Sequence, residues 1–339
     1  MSVVLGIESS CDETAVGVVV DGKHILSNVI YSQSDIHSEY GGVYPELACR
    51  RHCDVILDVI EKGLIAANIS HEDIDLIAVA TNPGLIGALM VGLNAAKGLA
   101  YAWKKPFIGV NHVEAHLYSA MMSQENNEFP SIGLVVSGGH TSLLKICEIG
   151  EYEYISGTID DAIGEAFDKV ARMLGLPYPG GPEVENLAIT GDRTKYKFKQ
   201  CKVKDNDLAF SFSGLKTQVL YAIKGKNQKH NDNIMDDSEK HNIAASFQEI
   251  ALQDVVSKSM LALIKYNLKT LYIGGGVSNN KRLKEMFAEN NKSNASIFFP
   301  QKGLSSDNGA MIAGLGYHIF KKNGKSHPFN LTTSPSLSF

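Results

Sequence analysis

Leu5-Gly-Ile-Glu-Ser-Ser-Cys-Asp-Glu-Thr-Ala-Val-Gly17 is an apolar run, a turn of small polar residues and a second apolar run. Such a pattern reads as two strands joined by a tight hairpin. The layout returns at Leu134-Val-Val-Ser-Gly-Gly-His-Thr-Ser-Leu-Leu144. A second pair of segments also matches, each a strand, a small-residue loop and a helix: Ile77-Ala-Val-Ala-Thr-Asn-Pro-Gly84 and Leu271-Tyr-Ile-Gly-Gly-Gly-Val-Ser278. Two matched pairs in the same order imply an internal duplication. Working outward, residues 3–8, 15–20 and 25–31 read as strands, followed by a helix over 45–68 with Leu47, Val55, Ile56, Val59 and Ile60 on one face. A strand at 75–81, a helix at 85–103, a strand at 107–110 and a helix at 112–122 complete the first half. The second half repeats this with strands at 132–136, 142–147 and 153–157, then helices at 162–174, 183–190, 215–223 and 242–268. A strand at 271–273, a helix at 278–289, a strand at 297–299 and a helix at 307–320 follow. The expected architecture is α/β, a duplicated βββαβα unit of the actin-like ATPase plan, with two lobes and a nucleotide cleft between them. Residues 1–125 with 305–339 form one expected lobe and 126–304 the other, and polar residues 225–242 read as a surface insertion.

Size and composition agree. The chain has 339 residues, 44% hydrophobic and 20% charged, which exceeds the roughly 250–300 residues one core usually spans and argues against disorder. Net charge is −5, so the chain as a whole does not attract polyanions or anionic membranes. No basic, apolar leader opens the sequence, and the most apolar helix, 85–103, is interrupted by Asn94 and Lys97. It falls short of the ~18 uninterrupted apolar residues a span requires. Five scattered cysteines suit reduced thiols better than a disulfide framework. These features point to a cytoplasmic enzyme.

Several clusters could carry chemistry. Hairpin turns in such a fold expose backbone N–H groups that cradle phosphate, and Ser9-Ser10-Cys11-Asp12-Glu13-Thr14 and Ser137-Gly138-Gly139-His140-Thr141 suit that role, unless they are ordinary hairpins. Asp12 and Glu13 would repel phosphate unless a cation lies between. His112-Val-Glu-Ala-His116 puts two imidazoles at i and i+4, on one helical face. They are either a two-point metal grip or surface and capping residues. Glu114 is displaced by one position from the glutamate of zinc peptidases and points off that face. A third ligand should be a carboxylate, and Asp307, opening a glycine- and alanine-rich helix, is well placed. Gly274-Gly275-Gly276 leaves room for a flat ring against the backbone, with Asn280 able to bond base or sugar; a strand-to-helix turn capped by Ser278 is the simpler alternative. Glu165 and Asp168 share a helical face, and Glu165–Lys169 has salt-bridge spacing. Tyr178-Pro-Gly-Gly181-Pro-Glu-Val-Glu185 offers Gly181 for backbone contact and Glu185 for a sugar hydroxyl pair. Arg193, Lys195, Lys197 and Lys199 would share one face of a strand, continued by Lys202 and Lys204. Such a run either meets phosphates or protects a sheet edge.

The hairpin Ile7–Thr14, the histidine helix Asn111–His116, Val136-Ser-Gly-Gly-His-Thr141, Gly164–Lys169, Tyr178–Pro182, Phe210-Ser-Phe-Ser-Gly-Leu-Lys216 and Gly275-Val-Ser-Asn together resemble the TsaD family, in its order, from about residue 3 to about residue 320. Its members are tRNA N6-adenosine threonylcarbamoyltransferases. The pattern is bacterial, with Val135 and His140 where archaeal and eukaryotic relatives carry tyrosine and asparagine. Two departures stand out: Glu185 where many relatives have aspartate, and Asn279 in place of a small residue.

The resemblance implies transfer of a threonylcarbamoyl group from threonylcarbamoyl-AMP to N6 of adenosine 37 in tRNAs reading codons that begin with A. It implies one divalent ion, Fe2+ or Zn2+, on His112, His116 and Asp307, with Mg2+ accompanying nucleotide. Val135, Val136, Ser137, Gly138, Gly139, Asp168, Gly181, Glu185 and Asn280 would bind the adenylate. Asp12 and Glu13 are the expected proton-accepting or orienting pair. Expected partners are tRNA, a TsaB-like paralogue in a heterodimer and a TsaE-like ATPase, with no membrane. Three rivals fit less well. A small-molecule kinase of this plan holds magnesium with carboxylates, a metallopeptidase needs a base where Glu114 is not, and a chaperone ATPase needs no histidine metal site.

Overall fold

The computed structural model describes residues 1–224 and 236–336, which form two compact units. The first comprises residues 1–129, 146–153 and 298–339. Its sheet is built from β1 (Val3–Glu8), β2 (Glu13–Val20), β3 (His24–Ser32), β4 (Leu76–Asn82) and β5 (Phe107–Asn111), in the order β3-β2-β1-β4-β5. The hairpins β1/β2 and β2/β3 are antiparallel, and β1/β4 and β4/β5 are parallel. Connecting helices are α1 (Ser34–Ser38), α2 (Pro45–Ala67), α3 (Ile86–Trp103) and α4 (His112–Met121).

Period-two alternation sets the layers of this unit. Leu5, Ile7, Val16 and Val18 enter one core with Val55, Ile56, Val59 and Ile60 of α2 and Leu93, Ala96 and Ala100 of α3. Gly6 and Gly17, between those positions, meet α10 (Gly309–Asn323) on the other side. A Cβ on Gly17 would lie 2.3 Å from Ala310 N, and one on Gly309 would lie 2.0 Å from Gly17 N. Only hydrogen side chains let helix and strands approach this closely. The approach fixes the start of α10, and with it Asp307.

The second unit comprises residues 130–145 and 154–297. Its sheet runs β10-β9-β6-β7-β8, from β6 (Ser131–Val136), β7 (Thr141–Glu148), β8 (Glu151–Gly157), β9 (Thr270–Gly274) and β10 (Ser296–Phe298). Read from β8, this is the order of the first sheet, three consecutive strands followed by two crossover strands, and β6/β9 is parallel as β1/β4 is. The duplicated plan read from the hairpins is therefore present. Its helices are α5 (Ile163–Met173), α6 (Gly180–Ala188), α7 (Ser213–Lys224), α8 (Asp237–Tyr266) and α9 (Lys281–Asn290).

Several expectations need correction. The short α1 has no hydrophobic period and was not anticipated. Of the expected insertion, residues 225–235 lie outside the described residues, and 237–242 are the first turns of α8, where Asp237 and Glu239 favour a helix start. The basic run at 193–204 is not a strand. It is held by side chains instead: Tyr196 N donates to Ser246 Oγ at 3.2 Å, and Lys199 N donates to Gln218 Oε1 at 2.9 Å. The alternation survives without a ladder, since Phe198 is buried while Lys195, Lys197 and Lys199 stay exposed. Ser278 lies inside a 3-10 turn, and Asn280 caps α9 by accepting from Leu283 N at 3.0 Å. No helix of the described residues is long and apolar enough to cross a membrane. None of the five cysteines forms a disulfide among the described residues.

Candidate functional site

In the first unit, β5 passes directly into α4, and Asn111 makes the junction by accepting from Val113 N at 2.9 Å and Glu114 N at 3.3 Å. This cap places His112 in the first turn and His116 one turn on, with ring centroids 4.6 Å apart. Asp307, carried by the tightly packed start of α10, brings Oδ1 to 3.7 Å from His112 Nε2 and 3.1 Å from His116 Nε2. The three potential ligand atoms all lie within 4.8 Å of one another. His116 is fully buried, yet its Nδ1 has no hydrogen-bond partner within the protein and its Nε2 faces only the Asp307 carboxylate. Two buried imidazoles turned toward one carboxylate fit a transition-metal ion, whose borderline character suits two nitrogens and one oxygen.

Glu8 completes this centre from behind. Its carboxylate is fully buried at the end of β1, with Oε2 2.8 Å from His112 Nδ1 and Oε1 accepting from Ser10 N. Ser10 Oγ lies 3.1 Å from the same ring nitrogen. A carboxylate behind a histidine fixes the ring and its tautomer, turning Nε2 toward Asp307. Burial alone would lower the His112 pKa, but Glu8 and Asp307 outweigh it and raise it to about 9. Burial lowers that of His116, and the charge of His112 lowers it further.

The adjoining turn carries Cys11, Asp12 and Glu13. Burial pushes up the Cys11 thiol, as do Asp12, Asp307 and Glu13. Glu13 is raised by burial first and then by Asp12 and Asp307, so these acids share one region of low polarity. Glu13 Oε1 accepts from Ser32 Oγ at 3.3 Å. Glu114 is half-buried, and desolvation raises its carboxyl to about 7.

In the second unit the glycine loops converge around β6. Gly138 and Gly139 are exposed, with open space where a Cβ would sit. Their turn is closed by Ser137 N donating to His140 O at 2.8 Å and His140 N donating to Ser137 Oγ at 3.1 Å. Val135 and Val136 are buried within β6. Gly275 has φ +95°, and a Cβ there would stand 2.4 Å from Val136 O, so the two glycine loops press together. Asp168 Oδ1 accepts from Gly180 N at 2.8 Å and so ties α5 to the start of α6, beside Gly181, whose face is open. Glu165 pairs with Lys169 at 2.8 Å, the simple salt bridge the spacing allowed. Glu185 Oε1 accepts from Lys281 N at 2.7 Å, beside Asn280. Asn280 Nδ2 donates to Gln248 Oε1 at 2.8 Å, and its nitrogen and oxygen each retain a further bonding position. A cavity of 350 Å³ opens here, lined by Glu185, Arg193, Gln248, Asn279, Lys281 and Arg282 among others.

Residues 24–314 match the family model described as TsaD: tRNA N6-adenosine threonylcarbamoyltransferase. The chain belongs to the TsaD family. A TsaD relative from Protochlamydia amoebophila, named tRNA N6-adenosine threonylcarbamoyltransferase, is 57% identical over 97% of this chain and 96% of its own length. Another of that name, from Chlamydia abortus, is 50% identical over 93% and 91% respectively. Among solved structures, HypF from T. kodakarensis superposes with a TM-score of 0.64 at 15% identity, over 95% of this chain and 48% of that one. At that identity the likeness bears on the fold alone, and it agrees with the actin-like plan.

Sequence reasoning grouped His112, His116 and Asp307, whose potential ligand atoms lie close together in the structure, but passed over Glu8, Gln33, His37 and His52. An acid ending an otherwise apolar strand was the signal available for Glu8. His52 falls on the inward face of α2 with Val55, Ile56, Val59 and Ile60, where a polar residue is out of place.

Proposed function

We propose that this TsaD-family chain transfers the threonylcarbamoyl group of threonylcarbamoyl-AMP to N6 of adenosine 37 in tRNAs reading codons that begin with A. The observation that carries this reading is the convergence of His112, His116 and Asp307, backed by Glu8, in a chain so similar to proteins bearing that name. His112, His116 and Asp307 would hold one divalent ion, Fe2+ or Zn2+, with Mg2+ accompanying the nucleotide. When bound, such an ion supplies Lewis acidity toward a carbonyl or phosphate oxygen.

The protein's own groups then do the following. The exposed Gly138–Gly139 turn, Gly181, Asp168, Glu185 and Asn280 bind and orient the adenylate, with Val135 and Val136 supplying the strand that carries the turn. Backbone donors at the glycine turn stabilise charge developing on the leaving AMP. N6 of the adenosine attacks the carbamoyl carbon, the new C–N bond forms, and the bond to the phosphate oxygen breaks to release AMP. The proton lost by N6 passes to Asp12, with Glu13, anchored on Ser32, orienting it. A TsaB-like paralogue and a TsaE-like ATPase complete the reading as partners, in the cytoplasm where tRNA is available.

The test is incubation with ATP, bicarbonate, threonine, a synthase, both partner proteins and unmodified tRNA, followed by mass spectrometry of the nucleosides. Threonylcarbamoyladenosine is the expected product. Its absence with the complete set overturns the reading.

A further inference from the structure

The Ser9–Thr14 turn carries a second set of contacts besides those to the metal trio. His52, fully buried, has Nε2 3.0 Å from Cys11 O and Nδ1 2.7 Å from Thr14 Oγ1. Gln33 N donates to Asp12 O at 3.1 Å. The Gln33 side chain is 1% exposed, yet neither Oε1 nor Nε2 has a partner within the protein. His37, also buried, accepts from Tyr44 N at Nδ1, 3.3 Å away, which puts its proton on Nε2, and that atom too is unpartnered. Asp12 is close enough to act electrostatically on both His37 and His52.

Three buried polar atoms without protein partners destabilise a fold and return nothing to it. Their chemistry is specific: Gln33 presents an acceptor and a donor, His37 a donor, and Asp12 lies alongside. A fully ionised phosphate, with acceptors only, would leave Gln33 Oε1 unmet. A hydroxy acid meets the whole set, its carboxylate taking the two donors and its hydroxyl donating to Gln33 Oε1. We infer that Gln33 and His37 form the subsite that recognises the threonyl portion of the donor, through its hydroxyl and carboxylate. This rests on the transferase reading above and names the residues that would select the amino acid. The shared turn explains the placement, since Ser10 touches the metal histidine while Cys11 and Asp12 anchor this cluster.

A site built to bond a hydroxyl discriminates strongly against analogues lacking it. The test compares transfer from the threonine-derived and the glycine-derived carbamoyl-adenylates, each freshly formed, with the full complex and tRNA. The wild-type protein is expected to prefer threonine by at least about 100-fold in kcat/KM. Gln33→Met, close in volume, should narrow that preference to within about tenfold while AMP affinity is unchanged and the melting temperature holds or rises. An undiminished preference in Gln33→Met overturns the subsite. So does a lowered melting temperature with both donors losing in proportion, because that assigns Gln33 to scaffolding. If the wild-type complex modifies tRNA with neither donor, the transferase reading itself fails, a result separable from the other two.

Discussion

Glu8 illustrates how much a single buried charge can carry. A carboxylate without exposure is costly unless paired, and here it is paired with His112 Nδ1 and Ser10 N. Glu8→Gln keeps the shape and removes the charge, so it should weaken metal affinity by about 10–100-fold, as loss of a partner behind a ligand does. Metal content measured against a graded chelator checks this, and excess metal should restore transfer. The grouping of His112, His116 and Asp307 was legible because the histidines stand at helical spacing and Asp307 is an acid heading a small-residue helix. Glu8 was not, because its partner lies 104 residues away and one acid has no period. Gln33 and His37 share that obscurity: their meaning lies in what they fail to touch, and composition carries no trace of it.

At the scale of elements, α10 is the piece on which the centre depends. Its glycine and alanine face lies against β1 and β2 with no room for a methyl group at Gly6, Gly17 or Gly309, and Asp307 stands two residues before its first turn. Gly17→Ala should therefore lift α10 and cost about 1–3 kcal/mol in denaturant unfolding. It should also release metal, although Gly17 touches no ligand. The same helix shares with α4 a hydrogen bond to a histidine whose burial opposes its protonation. Tyr118 Oη donates to Gly22 O at 2.8 Å, so His318 Nε2, also 2.8 Å away, donates to the Tyr118 oxygen. Burial lowers the His318 pKa to about 4, helped by Lys321 and Lys23, while Tyr317 packs against the ring. Unfolded, the ring titrates near 6.5. Between those values the unfolded chain binds a proton that the folded chain refuses, so stability falls as pH drops from about 6.5 to about 4. Allowing for partial exposure, the loss should reach about 2 kcal/mol. Urea unfolding at pH 7 and pH 4.5 should show a shallower fall in His318→Gln. The duplicated βββαβα unit was readable from the repeated hairpin because alternation and small-residue turns are local signals. The 193–204 run misled for the same reason: its alternation is real, but side chains of α7 and α8 hold it, where a strand would need a neighbouring ladder.

For the whole molecule, net charge answered a different question from the one asked of it. A value of −5 describes the chain's average, whereas phosphate binding depends on where cations are held. Arg193, Lys195, Lys197, Lys199, Lys202 and Lys204 are all exposed within twelve residues, and Phe198 buries itself so that the neighbouring lysines face solvent. Arg193 and Lys195 approach Glu249 and Glu239 at 3.8 and 3.9 Å, and part of their charge is answered within the protein. Lys197 and Lys199 have no such ion pair among the described residues, which makes them the stronger candidates for meeting phosphate. Replacing both with alanine in the assembled complex should weaken tRNA binding about tenfold at moderate salt. The dependence of log affinity on log salt should become shallower by about 0.7–0.9 for each phosphate that no longer meets a lysine. Metal content and AMP affinity should not change, because both side chains are exposed and neither belongs to the metal trio or the glycine loops. An unchanged salt slope would make the stretch a solvated face and move tRNA binding to other surfaces or to the partner proteins.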